Sequence, residues 1–145
     1  MNKILQAIIL QSDVLLDRYP TMRWLPMILL MVVIFWLSSR QTSQLPHMGW
    51  ADFVFKKGAH MMGYALLGIA TYWGTRNWSS ALIITILYAV TDEIHQLYVP
   101  TRNGQISDVL IDTTGAFIGF TLYNYWVEPR FVALRQKAAV VSKKI

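Results

Sequence analysis

Between Arg23 and Arg40 the chain reads WLPMILLMVVIFWLSS (Trp24–Ser39), a run with no formal charge whose one proline, Pro26, falls where a first helical turn would tolerate it. A proline there forfeits only an N–H that the helix leaves unpaired anyway. A run this apolar needs an apolar solvent, and it lies near the short end of the roughly 17 to 25 residues that cross a bilayer. Three more stretches have the same character. Gly58–Thr75 carries no Asp, Glu, Lys or Arg but holds His60 and Tyr64; Trp78 opens a run through Val90 that meets Thr91, Asp92, Glu93 and His95; the fourth starts near Ile106 or Ser107 and reaches Trp126 with Asp112 inside it. The expected fold is all-α: an integral membrane bundle of four short helices. Ahead of them Ile4, Leu5, Ile8, Ile9, Leu15 and Leu16 recur at helical spacing. That stripe predicts an amphipathic interfacial helix over Asn2–Asp17, not a cleaved signal, because Gln6, Gln11 and Asp13 interrupt the run. The domain plan is therefore an N-terminal segment 1–20, a four-helix domain 21–128 and a basic tail 129–145.

Composition points the same way. The chain of 145 residues is 54% hydrophobic and 14% charged, with a mean hydropathy of +0.37. An average soluble domain is about 25% charged, and a chain this small cannot bury so much apolar surface on its own. The absence of cysteine excludes disulfides, thiolate nucleophiles and thiolate metal sites. The net charge of +5 owes much to Arg130, Arg135, Lys137, Lys143 and Lys144 after the last apolar run. A basic tail in that position is topology signalling, and no nucleic-acid partner is expected.

Basic residues also orient the helices. With the N-terminus in the cytoplasm, Lys3, Arg18, Arg23, Arg76 and the five tail residues lie inside, against Arg40, Lys56, Lys57 and Arg102 outside. Nine against four places both termini in the cytoplasm. Trp24, Trp73, Trp78, Tyr125 and Trp126 then form an inner belt, and Trp36, Trp50 and Tyr98 an outer one.

This topology gathers the ionisable residues on the outer face. The helix ends there carry Ser38, Ser39, Arg40 and Gln41; Lys57 and His60; Asp92, Glu93, His95 and Gln96; and Arg102, Ser107, Asp108 and Asp112. Lys57, His60 and Tyr64 share one helical face, as do Tyr88, Asp92 and His95, with Gln96 beside Asp92. Asp108, Asp112, Gly115 and Gly119 form a third stripe, in which the glycines permit close helix packing below two carboxylates. Each group has an ordinary alternative. Helix-end acids can simply reach the headgroups, Ser107 can be an N-cap with Asp108 in the first turn, and Asp112 can be half of an ion pair with Lys57, Arg102 or His60. Several chemistries stay open: acid–base work by a His–carboxylate pair with Lys57 and Arg102 holding an anion, a binding pocket, or an ion or proton path. Metal is the weaker expectation: there is no HExxH, and Glu93 and His95 at i, i+2 do not face together. No cofactor is predicted beyond that lesser divalent-metal alternative.

The strings Lys57-Gly-Ala-His60-Met-Met-Gly-Tyr64, Asp92-Glu93-Ile-His95-Gln96-Leu-Tyr-Val-Pro100-Thr-Arg102 and Ser107-Asp108-Val-Leu-Ile-Asp112-Thr-Thr-Gly115 resemble the VanZ-like family, as does Ser38-Ser39-Arg40-Gln41 after an apolar helix. The likeness runs from Ser38 to Gly119, and the Asp-Glu-x-His-Gln run with Val-Pro-x-x-Arg is its specific part. Two positions depart from the pattern: Thr101 stands where the family usually has Gly, and Asp112 where Asn is common. The resemblance implies a small multi-pass protein of the bacterial cytoplasmic membrane, from a family named for a member associated with low-level teicoplanin resistance. It implies no settled reaction. The functional expectation is an outer-face cluster that binds, and as a further step modifies, an envelope lipid, a lipid-linked intermediate or a glycopeptide-like ligand. Asp92, Glu93, His95, His60 and Asp108 are its candidate catalytic groups; Lys57, Arg102, Gln96, Tyr64, Ser39, Arg40 and Asp112 are its candidate binding groups. The competing expectation is a non-catalytic transporter, flippase-like or assembly protein using the cluster as ion or proton sites. Membrane lipids, and a second copy of the chain if a conduit is needed, are the expected partners.

Overall fold

The computed structural model describes residues 18–40, 50–100, 102 and 104–142. The expected interfacial helix Asn2–Asp17, together with Gln41, Thr101, Lys143 and Lys144, lies outside them. Within the described residues the chain is helical and contains no strand. A 3-10 turn, Pro20–Trp24, leads into α1 (Leu25–Ser38), with Pro26 in its first turn as the sequence predicts. Helix α2 covers Trp50–Thr75, α3 Trp78–Gln96 and α4 Ile106–Leu122. Residues Trp24–Phe120 form one compact unit; the flanking segments group apart from it and contain a π-helical turn, Tyr123–Val127, and α5, Glu128–Ser142. The segment expected to be a basic tail is thus largely helical, with Pro129 in its first turn where proline is tolerated.

Two local devices set the unit's geometry. Helices α2 and α3 are joined through Arg76 and Asn77 alone, which forces them antiparallel. Arg76 takes a positive φ of 52° to turn the chain, and the Asn77 side chain caps α3 by accepting from the Ser80 N–H at 2.9 Å. The second device is a glycine contact. A Cβ on Gly115 would strike the Met61 carbonyl, one on Gly119 the Ala65 carbonyl, and one on Gly68 the backbone of Ala116. Helices α2 and α4 therefore meet backbone to backbone, the close approach that small residues allow between helices. Helix α2 begins eight residues before the expected Gly58, because Trp50–Lys57 holds no helix breaker. Helix α4 begins at Ile106, so Ser107 lies inside it; the Ser107 hydroxyl donates to Gln105 and Asp108 side chains and does not act as an N-cap.

The core runs through Met27, Ile34, Tyr64, Leu67, Ala70, Ala89 and Ala116. At one pole Trp78 packs edge-on to Phe117 and Phe120, which also stacks with Tyr72. The interior as a whole is nonetheless more polar than the outside. Asp92 and Asp112 are 2% and 1% exposed, whereas Leu29, Val32, Leu87 and Leu110 are 65%, 60%, 61% and 65% exposed. Soluble proteins rarely present contiguous apolar surface on that scale. Among the described residues one helical stretch, Pro20–Ser38, is long and apolar enough to cross a membrane by length and composition.

Candidate functional site

The polar residues collect where α1 and α3 end and where α4 begins, with the first half of α2 alongside. Deepest among them is a group drawn from α2, α3 and α4. The Asp92 carboxylate is gripped on one oxygen only: Oδ2 accepts from Ser38 Oγ at 3.0 Å, Gln96 Nε2 at 3.2 Å and Tyr64 OH at 3.4 Å. Its other oxygen, Oδ1, is buried and receives no hydrogen bond. Asp112 is more extreme, since both its carboxylate oxygens are buried without a hydrogen-bond partner. Its nearest charge partner is His60, with Nδ1 3.8 Å from Oδ2 and the imidazole about a quarter exposed. Leaving a buried acceptor unpaired costs about 1–3 kcal/mol, and more for a charged group, so these orphaned oxygens call for an explanation.

Further contacts lie nearer the helix ends. Glu93 Oε1 accepts from Gln96 Nε2 at 3.0 Å and Oε2 from the Gln105 N–H at 2.9 Å, which ties the loop before α4 to α3. Gly104 makes that approach possible, because a Cβ there would strike the Glu93 carbonyl. Arg102 donates to the carbonyls of Leu37 and Arg40, each at 3.2 Å, and to Gln96 Oε1 at 3.4 Å. It thus caps α1, satisfying carbonyls that the helix end leaves free. Lys57 forms an ion pair with Asp108. His95 meets the end of α1 beside Asp92: its ring stacks on Phe35 at 4.3 Å, and Nε2 is hydrogen-bonded to Ser39 Oγ at 3.0 Å. Ser39 donates its own proton to the Phe35 carbonyl at 2.7 Å, which leaves its oxygen to accept from His95.

The geometry joins most of the expected residues and separates some. Asp92, Gln96, Tyr64, His60 and Asp112 are together, and Glu93 and Arg102 adjoin them through Gln96. Tyr88, Asp92 and His95 all turn to α1: the Tyr88 hydroxyl donates to the Met31 carbonyl at 2.5 Å, Asp92 accepts from Ser38, and His95 meets Phe35 and Ser39. Arg40 stands apart, its guanidinium 4.2 Å above the Trp36 ring. Of the partners considered for Asp112, Lys57 is taken by Asp108 and Arg102 by the α1 carbonyls, leaving His60. Gln105 is a contributor that spacing missed: it donates through its backbone, which its residue type does not reveal. Four carboxylates (Asp92, Glu93, Asp108, Asp112) against two bases (Lys57, Arg102) give the cluster a formal charge of −2 with neutral histidines. It is therefore richer in acceptors than an anion clamp requires.

Searches of characterised proteins and of solved structures returned no match. A family model described as VanZ/LLP1 matches residues 23–127, which include all the residues of the cluster.

Proposed function

The chain belongs to the VanZ-like family, and from that premise we propose that it is a multi-pass membrane protein whose polar cluster receives the headgroup of an envelope lipid or lipid-linked ligand at the outer face. The observation that carries this reading is the inverted polarity of the Trp24–Phe120 unit, with apolar side chains outward and its charged cluster confined to one end. Such a surface suits lipid tails, and ionisable groups held inside a bundle at one membrane boundary mark a substrate or ion pathway by default. The excess of basic residues in the segments assigned to the cytoplasm supports the outer-face orientation.

In this role Arg102 is the group for a phosphate or carboxylate of the ligand. Its described contacts are to neutral acceptors, so its charge remains available at the rim while its position is fixed by α1. Glu93 and His95 flank that rim and are the groups placed to handle protons. The acid-rich floor below favours a ligand that brings a donor or a positive charge as well as an anion.

Native mass spectrometry of the detergent-extracted chain tests the proposal. A bound amphiphile is expected on the wild type, reduced about tenfold or more by Arg102→Ala, as loss of a charge-assisted contact worth about 1.5–3 kcal/mol predicts, and unaffected by Arg130→Ala in α5. A wild type carrying no amphiphile, or Arg102→Ala and His95→Ala proteins that insert normally and keep their full envelope phenotype, overturns it.

A further inference from the structure

We infer that His60, Asp92 and Asp112 form a binding site for a divalent cation of the Zn2+ or Mn2+ class, held between α2, α3 and α4. Each of the three side chains can bring a ligand atom within 4.8 Å of the other two. Ligands arranged tetrahedrally on one such cation, at bonds of about 2.0–2.2 Å, stand roughly 3.3–3.6 Å apart. The side chains therefore need to close by up to about an ångström, within the reach of side-chain rotation.

The hydrogen bonding independently points to a ligand. Asp112 is 1% exposed, with neither carboxylate oxygen hydrogen-bonded, and Asp92 Oδ1 is in the same condition. Two carboxylates that hold three buried acceptor atoms without hydrogen bonds, grouped with one imidazole, form an arrangement that a cation completes and that hydrogen bonding within the chain leaves unsatisfied. The other Asp92 oxygen is held by Ser38, Tyr64 and Gln96, which fix the carboxylate and leave Oδ1 free for a ligand. Support of this kind behind a ligating carboxylate is what orients the ligands of metal sites. One imidazole and two carboxylates, with no thiolate in the chain, select a hard or borderline cation over a soft one. Two positive charges also neutralise the formal −2 of the surrounding cluster.

The acid at position 112 matters to this site, because Asp supplies the second negative charge that a dication needs, whereas an Asn would offer one neutral oxygen. The inference does not rest on the headgroup proposal, because the cation lies beneath the rim formed by Arg102, Glu93 and His95.

The test uses the full chain in detergent, stripped with a chelator and then given Zn2+ or Mn2+ alone. Bound metal is read by elemental analysis and the melting temperature is followed in parallel. One equivalent is expected on the wild type, with a metal-dependent rise in melting temperature because the ion joins three helices. Asp112→Asn and His60→Ala should lose both, and Ser38→Ala, which removes a hydrogen bond that orients the Asp92 carboxylate, should weaken the affinity about 10–100-fold. Glu93→Gln and Arg102→Ala should keep the metal, so loss of amphiphile with retained metal separates this site from the headgroup reading. His60→Ala removes no buried charge and remains informative if Asp112→Asn inserts poorly. A wild type that retains neither metal, or an Asp112→Asn protein that is more stable than the metal-supplied wild type, overturns the inference.

Discussion

Asp92 takes three side-chain hydrogen bonds on a single oxygen, and its substitutions separate charge from hydrogen bonding. Replacement by Ala leaves the Ser38, Tyr64 and Gln96 donors facing a void. It is expected to destabilise the fold by about 3 kcal/mol or more, from unpaired buried donors at about 1–3 kcal/mol each. Asp92→Asn retains an oxygen for those donors and is expected to cost about 1 kcal/mol, both values being read from reversible denaturation in detergent. His95→Phe asks a different question, since it keeps the stack on Phe35 and deletes only the bond to Ser39. Its expected stability lies within about 1 kcal/mol of wild type, as for one partly exposed hydrogen bond, while the envelope phenotype is lost. An unchanged phenotype would remove His95 from any proton-handling role. The membership of this cluster was legible in the sequence, because helical spacing alone places Tyr64 above His60 and Gln96 beside Asp92. Its pairings were not legible. Asp108 and Asp112 share a stripe, so spacing offers Lys57 either acid.

The choice between those acids is made by the register of two helices. The contacts that set Gly115 on Met61 and Gly119 on Ala65 also bring Lys57 to Asp108 and His60 to Asp112, since α2 and α4 descend side by side in the same direction. The glycine stripe could be read as a packing face from its four-residue spacing; the helix it packs on, and at what height, depends on α2 starting at Trp50 and on the tight link at Arg76. Gly115→Ala and Gly119→Ala are each expected to cost about 1–3 kcal/mol by overpacking, and to weaken metal retention in step, because the same contact holds His60 against Asp112. Gly58→Ala meets nothing within 4 Å and is expected to be neutral or to stabilise α2 by up to about 1 kcal/mol. Equal losses at Gly58 and Gly115 would mean that the α2–α4 contact does not set the register.

For the molecule as a whole, the orientation can be read directly because the chain has no cysteine of its own. A single cysteine at Tyr98, 81% exposed on the α3–α4 side, is expected to react with an impermeant maleimide on intact cells. One at Arg130 should react only after the membrane is opened, and the reverse pattern would invert the topology. The sequence conveyed the helices and the end of the bundle that carries charge. The order of closure is visible only in the contacts. Ser38 meets Asp92 across 54 positions, Ser39 meets His95 across 56, and Arg102 reaches Leu37 across 65. In the proposed topology, with helices entering the bilayer in chain order, α1 precedes all of these partners, and its Ser38–Ser39 end waits at the surface until α3 arrives. The site would then be a late product of insertion, so variants that slow the α2–α3 turn at Arg76 are expected to lower the amount of inserted protein before they alter binding.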